Sequence, residues 1–252
     1  MNHPEPIQVL DHGFARLVSY MQPNLPTLLG EPLLDASWTG DLEILRNARV
    51  SYNADWRTGE DAGKDERLIR YLQTNHHTSP LEAMVFTFEV QAPLFVLRQW
   101  HRHRTWSYNE VSARYTTLPE VFYIPKPEHV GTQSTTNKQM RVMATPEAVA
   151  AGLDQGAVNF IEDLQLHSAF GFELYKKHLA EGVPRELARL FLGLNTYSRM
   201  FCTVDLHNLL HFLRLRMHEH SQYEIRVYAQ ALAKLVQPVV PFSIQTFKEL
   251  HP

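Results

Sequence analysis

The sequence predicts an α+β fold, a small antiparallel sheet followed by a largely helical C-terminal half. Three observations predict it. Residues 83–91 (AMVFTFEVQ) alternate Met84, Phe86, Phe88 and Val90 against Val85, Thr87 and Glu89, the two-residue period of a strand with one drier face. From Pro146 onward, apolar residues recur at helical spacing almost to the end of the chain. Strands early and helices late are not the repeating βαβ order of a parallel sheet.

Taken in order, residues 41–50 (DLEILRNARV) and 64–75 (KDERLIRYLQTN) place Leu and Ile at helical spacing, the second through Leu68, Ile69 and Leu72. After the 83–91 strand, Pro93 is tolerated at a first helical position, and PLFVLRQWHRHR predicts a helix running through Arg104. Residues 105–119 are turn-rich, and VFYIP (121–125) reads as a short strand closed by proline. Residues 126–145 are polar with no sustained period, the pattern of a mobile loop. In the helical half Ile161, Leu164, Ser168, Phe172, Tyr175 and Leu179 form one stripe. Helices at 184–192, 205–217 and 221–236 follow, and Pro238 and Pro241 separate them from a last amphipathic segment. The stripe Tyr223, Val227, Ala231, Leu235 reads as packing rather than a cofactor box.

A chain of 252 residues with 44% hydrophobic and 20% charged residues can bury a sizeable core, here read as one domain over residues 1–252. That composition excludes disordered, collagen-like and coiled-coil classes. No apolar stretch approaches a membrane span, and the first twenty residues carry Asp and His where a signal peptide needs an apolar block. The expectation is a soluble cytoplasmic protein without a membrane partner. A single cysteine, Cys202, excludes an internal disulfide and a multi-cysteine zinc or iron–sulfur site; by itself it reads as a small buried hydrophobe. The net charge is −3, from 24 Lys and Arg against 27 Asp and Glu, so the molecule as a whole has no reason to hold nucleic acid.

Residues 98–115 (RQWHRHRTWSYNEVSARY) contradict that balance locally. Arg98, His101, Arg102, His103, Arg104 and Arg114 are opposed only by Glu110 and interleaved with Trp100, Trp106, Tyr108 and Tyr115. The bland reading is a solvated basic face. The functional one is a site for a phosphate plus an aromatic ring, since guanidinium forks grip phosphate oxygens and flat side chains stack on rings. The same mixture could serve a non-catalytic nucleotide- or RNA-binding module, although no RRM-type or KH-type signature accompanies it.

Arg102-His103-Arg104, followed by Ser112-x-Arg114, resembles the RHR and SxR signature of the flavin-dependent thymidylate synthases. RNARVSY (46–52), HTSPLE (77–82), APLFVLRQW (92–100), GVPRELAR (182–189), LNTYSR (194–199) and the run from LRLR to SQYEIR (213–226) resemble family segments in the same order. The resemblance implies a thymidylate-synthase-complementing-type domain, assembled as a homotetramer with active sites shared between chains. It implies reductive methylation of dUMP to dTMP, with FAD as cofactor and NADPH and methylenetetrahydrofolate as co-substrates. It assigns Gln99, Arg102, Glu110, Ser112, Arg114, Arg189 and Arg216 to dUMP. To FAD it assigns Ser79, Arg102, His103, Arg104, Glu110, Asp205, His207 and His211, with Glu82 near the flavin. His77 and its neighbour His76 would border the flavin or folate region; the alternative is a turn histidine.

The resemblance also gives Arg216 the catalytic role, that of favouring an ionised uracil N3: an arginine beside the uracil imide stabilises its anion and pushes electron density toward the ring carbon that must attack. Ser112 lacks a neighbouring base and reads as a donor, not a nucleophile. Cys202 has no flanking Pro-Cys-His motif, and a flavin hydride donor removes the need for a thiolate. His207 and His211 have the i, i+4 spacing of a zinc helix, but Asn208 stands where HExxH needs its Glu, so no metal is expected. The chain departs from the family at Asp205, His207 and His211, where Asn, Arg and Asn are usual. Asp205 could equally be a helix N-cap. On a wheel, Leu206, Leu209, Leu210, Leu213 and Met217 form the buried stripe, with His207, His211, Arg214 and His218 beyond one edge and Asp205 and Arg216 at the other.

Overall fold

The structure is a computed structural model that describes residues 5–21, 39–138, 140–145, 147–148 and 155–252. Among these residues a five-stranded sheet runs in the order β1 (Ile7–Val9), β2 (Gly13–Tyr20), β3 (Val85–Pro93), β7 (Tyr197–Asp205), β4 (Ser107–Glu110), with every neighbouring pair antiparallel. The alternation that marks β3 sets its pairing: Phe86 faces Val204, Phe88 faces Cys202 and Val90 faces Met200, all buried on one side of the sheet. Over that side pack α8 (Leu206–Arg216) and α9 (Tyr223–Val236), burying Leu209, Phe212, Leu213, Ile225, Tyr228 and Leu232. On the other face of β3, Glu89 is buried and accepts from Arg16 of β2 and from Arg199 of β7, so its charge is matched across three strands.

At the turn into β2, Gly13 is required by close approach. A Cβ there would fall on the Tyr228 hydroxyl and lie 2.6 Å from Val9 O and 2.9 Å from Gln91 O, while Tyr228 donates to Gln91 O at 2.6 Å.

The two early helices form as the spacing predicts, as α1 (Thr39–Val50) and α2 (Ala62–Thr74); Asp61 caps α2 by accepting from Lys64 N at 3.1 Å. A single turn, α3 (Ser79–Glu82), leads into β3. The last amphipathic segment is α10 (Pro241–Leu250); Pro241, expected as a break before it, instead opens the helix at its first turn. The 161–179 stripe lies on α6 (Gln155–Ala180), where Ser168, Phe172 and Tyr175 are buried. Pro146 and residues 149–154, which begin the expected helical half, lie outside the described residues. No described helix is long and apolar enough to cross a membrane.

Five expectations are corrected. The helix after β3 is only α4 (Leu94–Trp100), with Pro93 at its N-cap, and does not reach Arg104. Arg102 N and His103 N turn to the carbonyls three residues back, Gln99 O at 3.3 Å and Trp100 O at 2.9 Å, and the Tyr108 hydroxyl lies 2.9 Å from both Trp100 O and His103 O, sealing the turn. The stretch 105–119 is not all turn, since it contains β4. Residues 121–125 make only an isolated bridge, Phe122 with Thr196, because Ile124 N donates sideways to Asp11 at 3.0 Å and not to a strand. The helical half is interrupted by β7, which lies inside the sheet between β3 and β4. The polar 126–145 segment also has structure of its own, the turn α5 (Pro127–Val130) and the hairpin of β5 (Thr132–Gln133) with β6 (Arg141–Val142). It is anchored where Arg141 and the Tyr123 hydroxyl donate to the buried Glu224 at 2.8 and 3.1 Å. Between α6 and the Gly182 turn that follows it and the 3-10 turn Arg189–Phe191 lies α7 (Arg185–Ala188).

Candidate active site

The end of α4 and the end of α8 meet, and their meeting is built from aromatic packing. Phe212 sits between Trp100 and Trp106, with ring centroids 5.0 Å from each, and His103 stands edge-on to it at 4.8 Å. Arg216 lies one helical turn beyond Phe212 on the same face, which brings it to His103. Arg216 Nε donates to His103 Nε2 at 3.0 Å. His103 is 8% exposed. Burial first, then the charge of Arg216 and the His211 ring, hold its pKa down at about 4, so it is a neutral imidazole at physiological pH. Burial also draws Arg216 below its usual value.

Its neighbours in the sequence point the other way. Arg98, Arg102 and Arg104 are exposed and have no carboxylate partner among the described residues, an unneutralised cationic rim around the turn. Gln99 bonds the side chain of Gln222, at the start of α9. Glu110, at the end of β4, lies 3.9 Å from His101, whose Nε2 is buried without a hydrogen-bond partner.

A second group forms where 112–114 meets α7. Arg114 Nε is 3.6 Å from Glu186, and Arg189 Nε donates to the carbonyl of the same Glu186 at 3.2 Å. Ser112 Oγ accepts from Arg114 N at 3.3 Å. Thus 114 and 189, 75 positions apart in the chain, share one residue. No hydrogen bond or ion pair among the described residues links this group to Arg216.

The third group is a cleft of about 160 Å³ between α2, α8 and α10, lined by His76, His207, His211, Arg214 and His251 and by no carboxylate. His211 is lowered by burial, Arg214 and His207, and His251 by burial, Arg214 and His76, so both stay uncharged near neutrality. His76 has left-handed backbone, φ 55°, placing a ring at the lip, whereas His77 packs near Tyr71 outside the cleft. Asp205 is an N-cap: it accepts from Asn208 N at 2.9 Å and Asn208 Nδ2 at 2.7 Å. Ser79 and Glu82 are exposed on α3 beside the cleft residue Thr78. Among the described residues no three His, Cys, Asp or Glu side chains lie close enough to share a metal ion. Cys202 is wholly buried in the sheet, and burial pushes its thiol far up, so no thiolate is available.

Comparison with known proteins fits this arrangement. The family described as thymidylate synthase complementing protein matches residues 32–242. Flavin-dependent thymidylate synthase of Wolbachia pipientis wMel is 41% identical over 96% of this chain and 76% of that protein. That of Ruegeria pomeroyi is 42% identical over 96% of this chain and 72% of that protein. This chain belongs to the flavin-dependent thymidylate synthase family. It is an enzyme of the methyltransferase class. Among solved structures, the UMP/dUMP methylase PolB from Streptomyces cacaoi bound with 5-Br dUMP superposes with a TM-score of 0.76, at 29% identity over 96% of this chain and 97% of that one. Membership of the flavin-dependent thymidylate synthase family agrees with the α+β fold and the small antiparallel sheet.

Several residues of the site have no role in the sequence reading, although Tyr108, Glu186 and Gln222 lie inside segments quoted there. Phe212 and Glu186 could have been found as helical neighbours of Arg216 and Arg189, four and three positions away. Gln222, His251 and the sealing role of Tyr108 depend on contacts across the fold and leave no local signal.

Proposed function

We propose that this chain, acting as a single domain, catalyses the reductive methylation of dUMP to dTMP in the cytoplasm, with methylenetetrahydrofolate as carbon donor, FAD as cofactor and NADPH as reductant. The observation that carries the reading is the meeting of the arginine-rich turn with Arg216, beside Arg98, Arg102 and Arg104, which have no carboxylate partner among the described residues. These residues fit FAD: the rim of Arg98, Arg102 and Arg104 and the carboxylate-free histidine cleft both suit an anionic pyrophosphate and its ribose hydroxyls. Bound FAD supplies the hydride. The chain supplies binding, orientation and electrostatics.

Arg102 and Arg104, with Ser79, Glu110, His207 and His211, hold FAD, while Asp205 keeps α8 capped toward it. His103 belongs to the same FAD-binding turn. Gln99, Arg102, Glu110, Ser112, Arg114 and Arg189 hold dUMP, Arg114 and Arg189 gripping phosphate. Arg216 stabilises the ionised uracil imide and so activates the ring carbon without a thiolate. Within one chain the Arg114 and Arg189 group is not bonded to Arg216, and Phe170, Leu187, Leu190 and Leu194 are exposed. Both facts support a homotetramer whose sites are completed between subunits. The reading requires no nucleic-acid or membrane partner.

The test is colour and rescue. The purified protein should take up FAD stoichiometrically and restore growth of a thymidine-requiring cell, and Arg216→Ala should lose rescue while keeping its flavin. A protein that binds no flavin but binds RNA with steep salt dependence overturns the reading.

A further inference from the structure

The contact between His103 and Arg216 has a direction that chemistry fixes. A guanidinium can only donate, so the His103 Nε2 atom that receives Arg216 Nε–H at 3.0 Å must carry a bare lone pair. The imidazole is therefore neutral with its proton on Nδ1. Phe212 lies against the ring, and the backbone that carries it is held by the Tyr108 hydroxyl, 2.9 Å from both His103 O and Trp100 O. Arg216 is tethered through Nε alone. Its two terminal nitrogens make no hydrogen bond among the described residues, are not among the buried unpartnered atoms, and form a planar pair of donors left available to a ligand. Among the described residues the groups recorded against the ring include no carboxylate: they are Arg216, the His211 ring at 6.3 Å, and Phe212.

We propose that His103 is a positioning residue, a neutral acceptor that fixes the plane of the Arg216 guanidinium so that its terminal nitrogens meet a planar, two-acceptor edge of the substrate. This rests on the reading of Arg216 as the residue that meets the uracil imide. It separates His103 from Arg102 and Arg104, whose side chains face solvent: the turn points two cations out and one acceptor in. Fixing one nitrogen of an arginine in advance removes part of the ordering cost that substrate binding would otherwise carry, and it is felt most where charge develops on the substrate.

The experiment compares wild-type holoenzyme with His103→Leu, His103→Gln, Arg216→Ala and the double variant His103→Leu/Arg216→Ala, measuring flavin content, kcat and KM for dUMP. His103→Leu should lose about tenfold or more in kcat/KM, the loss of one charge-assisted hydrogen bond. His103→Gln, whose side-chain oxygen can replace Nε2, should recover most of that loss. The double variant should be no worse than Arg216→Ala, because a residue that acts only through Arg216 has nothing left to position. Losses that multiply in the double variant, or an equal loss in His103→Gln and His103→Leu, overturn the proposal. Should His103→Leu fail to fold, nitrogen NMR of histidine-labelled wild-type protein decides: an unprotonated Nε2 between pH 6 and 8 is expected, and a protonated one overturns the assignment. That measurement needs no turnover, so an enzyme that binds no flavin or leaves dUMP unmethylated would refute the function while leaving the tether independently tested.

Discussion

Gly13→Ala adds one methyl group at the place where β2, β3 and α9 converge. The new carbon would meet the Tyr228 hydroxyl and two backbone carbonyls, at 2.6 Å from Val9 and 2.9 Å from Gln91. The carbonyls belong to paired strands and cannot retreat without opening the sheet. The hydroxyl can be expelled only by giving up its 2.6 Å hydrogen bond to Gln91 O, inside a side chain with no solvent exposure. Overpacking costs about 1–3 kcal/mol, and a buried hydroxyl left unpaired costs about 1–3 kcal/mol. The sum, about 4 kcal/mol, corresponds to a fall in Tm of about 10 °C for a chain of this size. Urea and thermal unfolding of Gly13→Ala, Tyr228→Phe and the double variant check it. Removing the hydroxyl relieves the closest of the three contacts, leaving those with the carbonyls, so the double variant should be more stable than the two single losses predict by at least about 1 kcal/mol. A loss below about 1 kcal/mol in Gly13→Ala, or strict additivity, refutes the packing argument. Trp100 stands edge-on to Tyr228 at 6.0 Å, so the displacement also reaches the end of α4 that carries the site.

Two further predictions concern charge. Glu186 holds a carboxylate 3.6 Å from Arg114, with both side chains exposed, so the pair itself is weak and its main effect on an incoming phosphate is repulsive. Glu186→Gln should lower KM for dUMP about two- to fivefold with kcat unchanged, less so in high salt; a raised KM in steady-state assays contradicts this placement of the phosphate. His103 is held down at about 4 from an ordinary 6.5, so between those values the unfolded chain takes up a proton that the native one refuses. Native stability from this group is therefore intact above pH 6.5 and falls as pH drops toward 4, by at most about 3 kcal/mol. Urea unfolding of His103→Gln and wild-type protein at pH 7.5, 6 and 5 should show the variant gaining relative to wild type as pH falls, and a constant difference would refute it.

The motif 102–114 and the wheel of α8 were legible because both are local: one is a run of residue types, the other a single helix whose Leu206, Leu209, Leu210 and Leu213 are buried as the wheel predicts, whereas Met217, placed on the same stripe, is only partly buried beyond the helix end and the buried Phe212 is missed. The failures are tertiary. The residues of β7 alternate Met200, Cys202 and Val204 against Arg199, Phe201 and Thr203, but nothing local says that strands far away will take both of its edges. The helix expected through Arg104 was a fair continuation of a period, and it is the Tyr108 hydroxyl that stops it. His103 looked like one more member of a basic run, and only the position of Arg216, 113 residues later, turns it inward. Asp205, open between a ligand contact and a cap, does cap α8 through its bonds to Asn208.

The pairing of β3 with β7 also governs how the protein can be made. Thr87 and Thr203 touch at 2.9 Å although 116 residues separate them. A ribosome must therefore deliver four-fifths of the chain before the inner edge of β3 has a partner, and until then Phe86, Phe88 and Val90 wait on an open edge. Loop closure over that distance is slow, and an unpaired apolar edge invites pairing with other chains. Yield in a heterologous host should thus depend more on chaperone supply and temperature during synthesis than on the stability of the finished sheet.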